Sequence, residues 1–201
     1  MNNSTAHGSR FTAHGPGLEA VVLFWHLVAL SVALVPLLFF GFAVAPAAFH
    51  VLPTRDMAAS LVSPILTKVC WLLEASFVLL FLTSWLLARW WDAPRLSRSL
   101  ATRAAILGVI AALVVEKLLI PRIDKIREDA PGLIDNLPAA DPARIQLARY
   151  HRLSFAFFAL ALGAAVIILA ATVRWISRRG QTPRAPTAPA PVPKLLDLSD
   201  V

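Results

Sequence analysis

The sequence predicts an all-α fold: an integral membrane four-helix bundle with flexible N- and C-terminal tails. Three observations predict it. Of 201 residues, 58% are apolar and only 15% charged, against roughly 45–50% and about 25% in ordinary soluble domains. Mean hydropathy is +0.68. The charges are also unevenly spread, and four stretches nearly lack them.

From Ala20 to Thr54 there are 35 residues without Asp, Glu, Lys or Arg, and from Leu153 to Val173 there are 21. Between them, Val69 to Ala88 is broken only by Glu74, and Ala104 to Pro121 only by Glu116 and Lys117. A helix needs about 20 mainly apolar residues to cross the hydrocarbon core. The predicted spans are therefore about 20–46, 62–89, 101–121 and 150–176. The runs are continuous rather than alternating, which excludes a β-barrel reading.

The first run carries Pro36 near its middle, where the missing donor favours a kink, and Pro46 and Pro53 mark its exit. Ala43-Val44-Ala45 has the small residues of a signal-peptidase site, but the apolar stretch before it is too long and Pro46 would follow the cut. The segment reads as a retained span. Residues 1–18 lack apolar periodicity and read as a flexible tail. Residues 180–201, with five prolines between Pro183 and Pro193, read as a disordered Pro-rich tail.

The third connection, 122–141, is mixed in charge. Ile123 and Ile126 form a short stripe that Pro131-Gly132 breaks. Asp141-Pro142 is a helix start: a side-chain acceptor at the cap, then a proline whose absent N–H costs nothing. A helix from there begins in water and runs into the fourth span. Ala104, Gly108 and Ala112 recur every four residues in the third span, as do Ala159 and Gly163 in the fourth. Such spacing lets helices approach closely in lipid, so both stripes are expected on inner, packing faces.

Four spans place both termini on one side. That side holds ten Lys and Arg residues and the other eight, a small excess that points to cytoplasmic termini under the positive-inside rule. The net charge of +7 suits anionic lipid headgroups. It is scattered over short loops without interleaved aromatics, so nucleic acid is not an expected partner.

Ionisable groups at membrane depth are costly and mark candidate sites. His26, Glu74, Glu116 and His151 form the candidate polar set. His26 lies just inside the first span beside Trp25, in a position for ligating haem, for carrying a proton, or for a plain interfacial role. Glu74 lies mid-span with Cys70 one turn before it. It serves either as a proton or cation group or as a helix-to-helix hydrogen bond. Glu116 and Lys117 are roughly 100° apart on an ideal α-helix and are not expected to face each other; Lys117 is placed to snorkel to the interface. Glu116, His50 and His151 fall toward the side opposite the termini, where they would form a polar mouth.

Other chemistry is excluded by counting. One cysteine, Cys70, allows no intrachain disulfide and no cysteine-based zinc knuckle. Beyond Met1 there is only Met57, too few soft ligands for a copper(I) conduit. His7 and His14 are too sparse for a metal site, and no metal ligands are assigned. No phosphate loop, nucleophile elbow or paired hydrolase carboxylates occur, so no catalytic residue is assigned.

Three stretches carry a family resemblance: Trp25 to Pro53 (WHLVALSVALVPLLFFGFAVAPAAFHVLP), Leu119 to Ile126 (LIPRIDKI) and Asp141 to Ser154 (DPARIQLARYHRLS). Within them stand the His26-Leu27 start, the Phe40 to Pro46 exit, Pro121 to Ile123, and His151 to Ser154. In order and spacing this set resembles the domain of unknown function 4149 family, typified in animals by transmembrane protein 205. The resemblance covers roughly residues 20–176. It implies a four-span membrane protein, and its animal members are associated with tolerance of platinum drugs. The first span is also similar to those of copper-resistance D-type proteins and small membrane protoporphyrinogen oxidases. In the latter a first-span histidine binds haem, and His26 holds the matching position. Where such spans carry a Trp-x-Gly-Gly turn, this chain has Ala33-Leu34-Val35-Pro36.

The expected function is tolerance or export of a metal or toxic compound, with no cofactor and no assigned enzymatic activity. A haem b redox protein and an assembly subunit of a larger membrane complex are the alternatives. The expected setting is a bacterial inner membrane, suggested by alanine-rich spans and 15 arginines against 4 lysines. The lipid bilayer is the expected partner, with a homo-oligomer or complex subunit beside it.

Overall fold

The computed structural model describes residues 16–90 and 95–179. The expected tails fall outside these residues, except that Pro16 to Leu18 already belong to the first helix. His7 and His14 also lie outside them. The described residues form helices joined by short turns, without strands. Four stretches are long and apolar enough to cross a membrane: Gly17–Val51, Arg55–Arg89, Ser99–Glu128 and Pro142–Arg178. The chain is an all-α, multi-pass membrane protein.

The first span is helix α1 (Pro16–Phe39), a π-helical turn at Phe40–Val44, and helix α2 (Ala45–Val51). Pro36 lies inside α1 without ending it. The second span is a single helix, α3 (Arg55–Trp90), which passes through Pro64. The third is α4 (Arg95–Leu113), a π-helical turn at Val114–Leu119, and α5 (Ile120–Glu128). The fourth is α6 (Pro142–Arg179), whose first turn is capped by Asp141 Oδ1, accepting from the Ala143 N–H at 2.8 Å.

Both π turns precede a proline for a definite reason. Proline lacks an N–H and its ring crowds the carbonyl four residues back. Pro46 and Pro121 each stand one residue after an N–H that reaches five residues back: Ala45 to the Phe40 carbonyl, Ile120 to the Val115 carbonyl. The widened turn makes room for the ring and lets the helix continue. Pro46 therefore does not terminate the first span, and the third span continues through Ile123 and Ile126 to Glu128. The connection after it shrinks to residues 129–141. Its Ile134 is buried, and the Ile134 N–H donates to Asp56 Oδ2 at 2.9 Å, which ties the connection to the start of α3.

Around the bundle, α3 packs on α1 and on α4, and α4 packs on α6, all extensively; α1 meets α6 much less. Three seams are tight and the fourth is open. The core joins Ala29, Leu30, Ala33 and Leu37 of α1 with Val69, Leu73, Phe77 and Leu80 of α3. From the other pair come Ala104, Ala105, Ala111 and Ala112 of α4 and Ala161, Ala164, Ala165 and Ile168 of α6. Alanine dominates the α4–α6 side because, between helices already in lipid, close backbone approach gains more than bulk.

The two small-residue stripes have different fates. Ala104, Gly108 and Ala112 are buried, and a Cβ at Gly108 would overlap the Phe77 ring. Ala159 and Gly163 face outward, and a Cβ at Gly163 meets nothing within 4 Å. The inner face of α6 is instead the Ala161, Ala164, Ala165 and Ile168 line. Gly163 stands two residues from Ala161 and Ala165, about 200° around the helix, so the four-residue spacing was right for a seam but on the wrong face.

Gly108→Ala forces the buried Phe77 ring to move, so it should destabilise the bundle by about 1–3 kcal/mol. Gly163→Ala should stay within about 0.5 kcal/mol of the parent. Thermal unfolding followed by circular dichroism in mild detergent compares the two directly.

Candidate functional site

The four candidate residues occupy three separate places. His26 on α1 is 2% exposed. Its Nδ1 lies 2.9 Å from Thr83 Oγ1 on α3, and its Nε2 lies 3.0 Å from Thr172 Oγ1 on α6. The threonine hydroxyls also reach their own helix backbones, Thr83 to the Leu79 carbonyl at 2.7 Å and Thr172 to the Ile168 carbonyl at 2.8 Å. The imidazole thus ties three helices together at the end of the bundle where the termini emerge.

Proton counting limits this network. Each hydroxyl has one proton to give, and a neutral imidazole has one N–H. If both threonines donate to their carbonyls, both ring nitrogens must be donors, which requires imidazolium. If the ring is neutral, one threonine turns its hydroxyl to the ring and releases its carbonyl. Either way both nitrogens are engaged. A ligand to either nitrogen would displace one threonine hydroxyl, which keeps its bond to its own backbone carbonyl.

Glu74 on α3 and Glu116 in the Val114–Leu119 turn are near enough to influence each other electrostatically. Glu116 is buried, and its Oε1 accepts from Trp71 Nε1 at 2.6 Å and from Lys117 Nζ at 2.7 Å. Glu74 Oε1 and Glu116 Oε2 are both buried without a donor. Cys70 is fully buried beside the pair. Lys117 extends outward, 63% exposed against 6% for the Glu116 side chain.

The Glu116–Lys117 contact corrects the expectation from ideal helix geometry. The two side chains leave the helix in different directions, one buried and one exposed, yet they meet, because the long lysine stem bends back until its ammonium reaches the carboxylate. Next to them Lys68 Nζ stands 4.1 Å from the centre of the Trp71 ring, a cation–π contact at the rim of the span.

His151 is remote from both clusters. It lines a groove of about 470 Å³ between the Phe40–Val44 turn, the start of α3, α5 and α6. The groove opens where α1 and α6 part, and Phe42 and Phe155 on its lips are 80% and 74% exposed. Most of the lining is Leu, Ile, Val, Phe and Ala, with Ser63, Ser154, Arg127 and His151 the polar exceptions. Its size falls in the ~300–1,000 Å³ range of small-molecule sites. Of the three residues expected at a polar mouth, His151 lines this groove, His50 follows its lining residue Phe49, and Glu116 bonds Trp71 and Lys117. Among the described residues no three His, Cys, Asp or Glu side chains gather as a metal-ligating group.

Four contributors were missed by sequence reasoning. Thr83 and Thr172 look like neutral interruptions of apolar runs, and nothing local pairs them with His26. Trp71 stands in the apolar run of the second span, 45 residues from Glu116, with nothing local to pair the two. Arg127 falls in what reads as a loop, because the helix was expected to end at Pro121.

His26→Leu keeps the bulk and removes both cross-helix bonds, and it should cost about 1–2 kcal/mol. Thr83→Val and Thr172→Val should each cost less. Combined with His26→Leu, neither should add fully, since they share one ring. Detergent unfolding of the single and double variants measures this.

A family model described as a domain of unknown function (DUF4149) matches residues 28–132. This stretch includes the Phe40–Val44 and Val114–Leu119 turns, all of α3, and Arg127. No curated protein and no solved structure matches the chain.

Proposed function

Because the chain belongs to the domain of unknown function DUF4149 family, whose description assigns no activity, we propose a function from the groove: this membrane bundle takes a toxic amphipathic compound from the bilayer and supports tolerance by exporting it. The single observation that carries this reading is the apolar cavity of about 470 Å³, open to lipid along the loose α1–α6 seam. A compound dissolved in the membrane reaches it without crossing water. The resemblance to transmembrane protein 205 relatives points the same way. In this reading the setting is a bacterial inner membrane with cytoplasmic termini, and the Glu74–Glu116 pair is the intramembrane protonatable group on which export draws.

An assembly role is the second reading, and the outward Gly163, which lies outside the groove, favours it, since an exposed small residue accepts a neighbouring helix.

Deleting the gene should sensitise cells to membrane-partitioning toxicants. The parent chain should restore growth, whereas Ala159→Trp, which fills the groove, and Glu74→Gln should not. Full rescue by Ala159→Trp would overturn the groove reading. Co-purification with another subunit at fixed stoichiometry, lost in a bulky Gly163 variant, would favour assembly instead.

A further inference from the structure

The groove is apolar along most of its length but not at its ends. One end, by Leu37 and Leu162, lies near the middle of its spans. The other end holds Arg127, next to the last residue of α5 and so at the end of the third span. The cavity thus extends over about half of a span's length. Arg127 and His151 are its only ionisable lining residues, and no Asp or Glu lines it. The Arg127 Nε is buried and has no hydrogen-bond partner. Asp124, one turn earlier on α5, takes the Ser63 hydroxyl at 3.2 and 3.3 Å and is not part of the lining.

A buried guanidinium nitrogen without an acceptor is costly. Guanidinium is also the side chain best shaped for a phosphate oxygen pair. We propose that the groove between α1 and α6 holds an anionic phospholipid of the adjoining leaflet, its acyl chain along the Phe40, Phe158 and Leu162 wall and its phosphate against Arg127. This rests on the groove reading above and names the chemical class it selects: amphiphiles with an anionic, phosphate-type head. A toxic compound of that class would enter by displacing the lipid. The apolar wall supplies retention for any acyl chain, and Arg127 supplies the choice of head.

The two contributions separate in one experiment. The full chain, purified in mild detergent, is titrated with dioleoyl phosphatidylglycerol or dioleoyl phosphatidylcholine, and retained lipid is counted by native mass spectrometry. The parent should retain one phosphatidylglycerol with at least about fivefold preference, the factor for roughly 1 kcal/mol per basic residue at a membrane surface. Arg127→Gln should abolish the preference, Arg127→Lys should keep part of it, and Ala159→Trp should lose both lipids. Circular dichroism of each variant checks that the helices persist.

Equal retention of the two lipids by the parent, both lost in Ala159→Trp, overturns the anionic choice and leaves the groove reading standing. No retention of either lipid overturns both. Displacement of phosphatidylglycerol by millimolar inorganic phosphate makes the site one for a free anion and overturns the lipid assignment. A dimer that Ala159→Trp dissociates overturns it too, because a second copy of the chain then fills the groove.

Discussion

Inside a bilayer no water is available to accept or donate hydrogen bonds, so every backbone group must be satisfied within the helix that carries it. Proline breaks that condition wherever it enters a span. At Pro46 and Pro121 the chain answers with a π turn, in which the preceding N–H reaches back five residues and the helix goes on. Much of the molecule's chemistry follows from those two turns. The first carries Phe40, Gly41 and Phe42 on the wall of the lipid-facing groove. The second carries Glu116 and Lys117 and extends the third span far enough to place Arg127 at the groove's mouth.

The polar groups obey the same scarcity of partners. His26 is enclosed by two threonines whose hydroxyls are themselves anchored on backbone carbonyls, so the ring is held from both sides. Glu116 draws on an indole and a lysine that extends toward the interface, while Glu74 keeps a buried oxygen without a donor. Arg127 Nε is left without a partner. The imidazole has a partner at each nitrogen, whereas the carboxyl pair and the guanidinium each keep a buried atom without one.

Packing explains why the open seam lies where it does. Alanines on α4 and α6 let those two helices close on each other, and Phe77 of α3 fills the space that Gly108 leaves. The bundle is thereby drawn toward its α3–α4–α6 side. Opposite, α1 meets α6 lightly, with phenylalanines on both lips. In water such a cleft would collapse or attract a partner; in lipid it is filled by the solvent itself, which is how an apolar cavity remains accessible from the membrane.

Four charge-poor runs, each long enough to cross hydrocarbon, made the all-α four-span class legible in the sequence, and Asp141-Pro142 showed where the last helix begins. These are local or compositional signals, set by the bilayer and by cap chemistry, and they need no knowledge of neighbours. The positions of Glu74 and His26 at membrane depth were legible for the same reason. Which groups they meet was not. Thr83 and Thr172 are 57 and 146 residues from His26, and only helix packing brings them to its ring. The Glu116–Lys117 contact, the outward turn of Ala159 and Gly163, and the inclusion of Arg127 in a helix depended on winding and rotation. Those angles are set by proline accommodation and by which alanine face lets two backbones come closest, and the tertiary structure alone decides them.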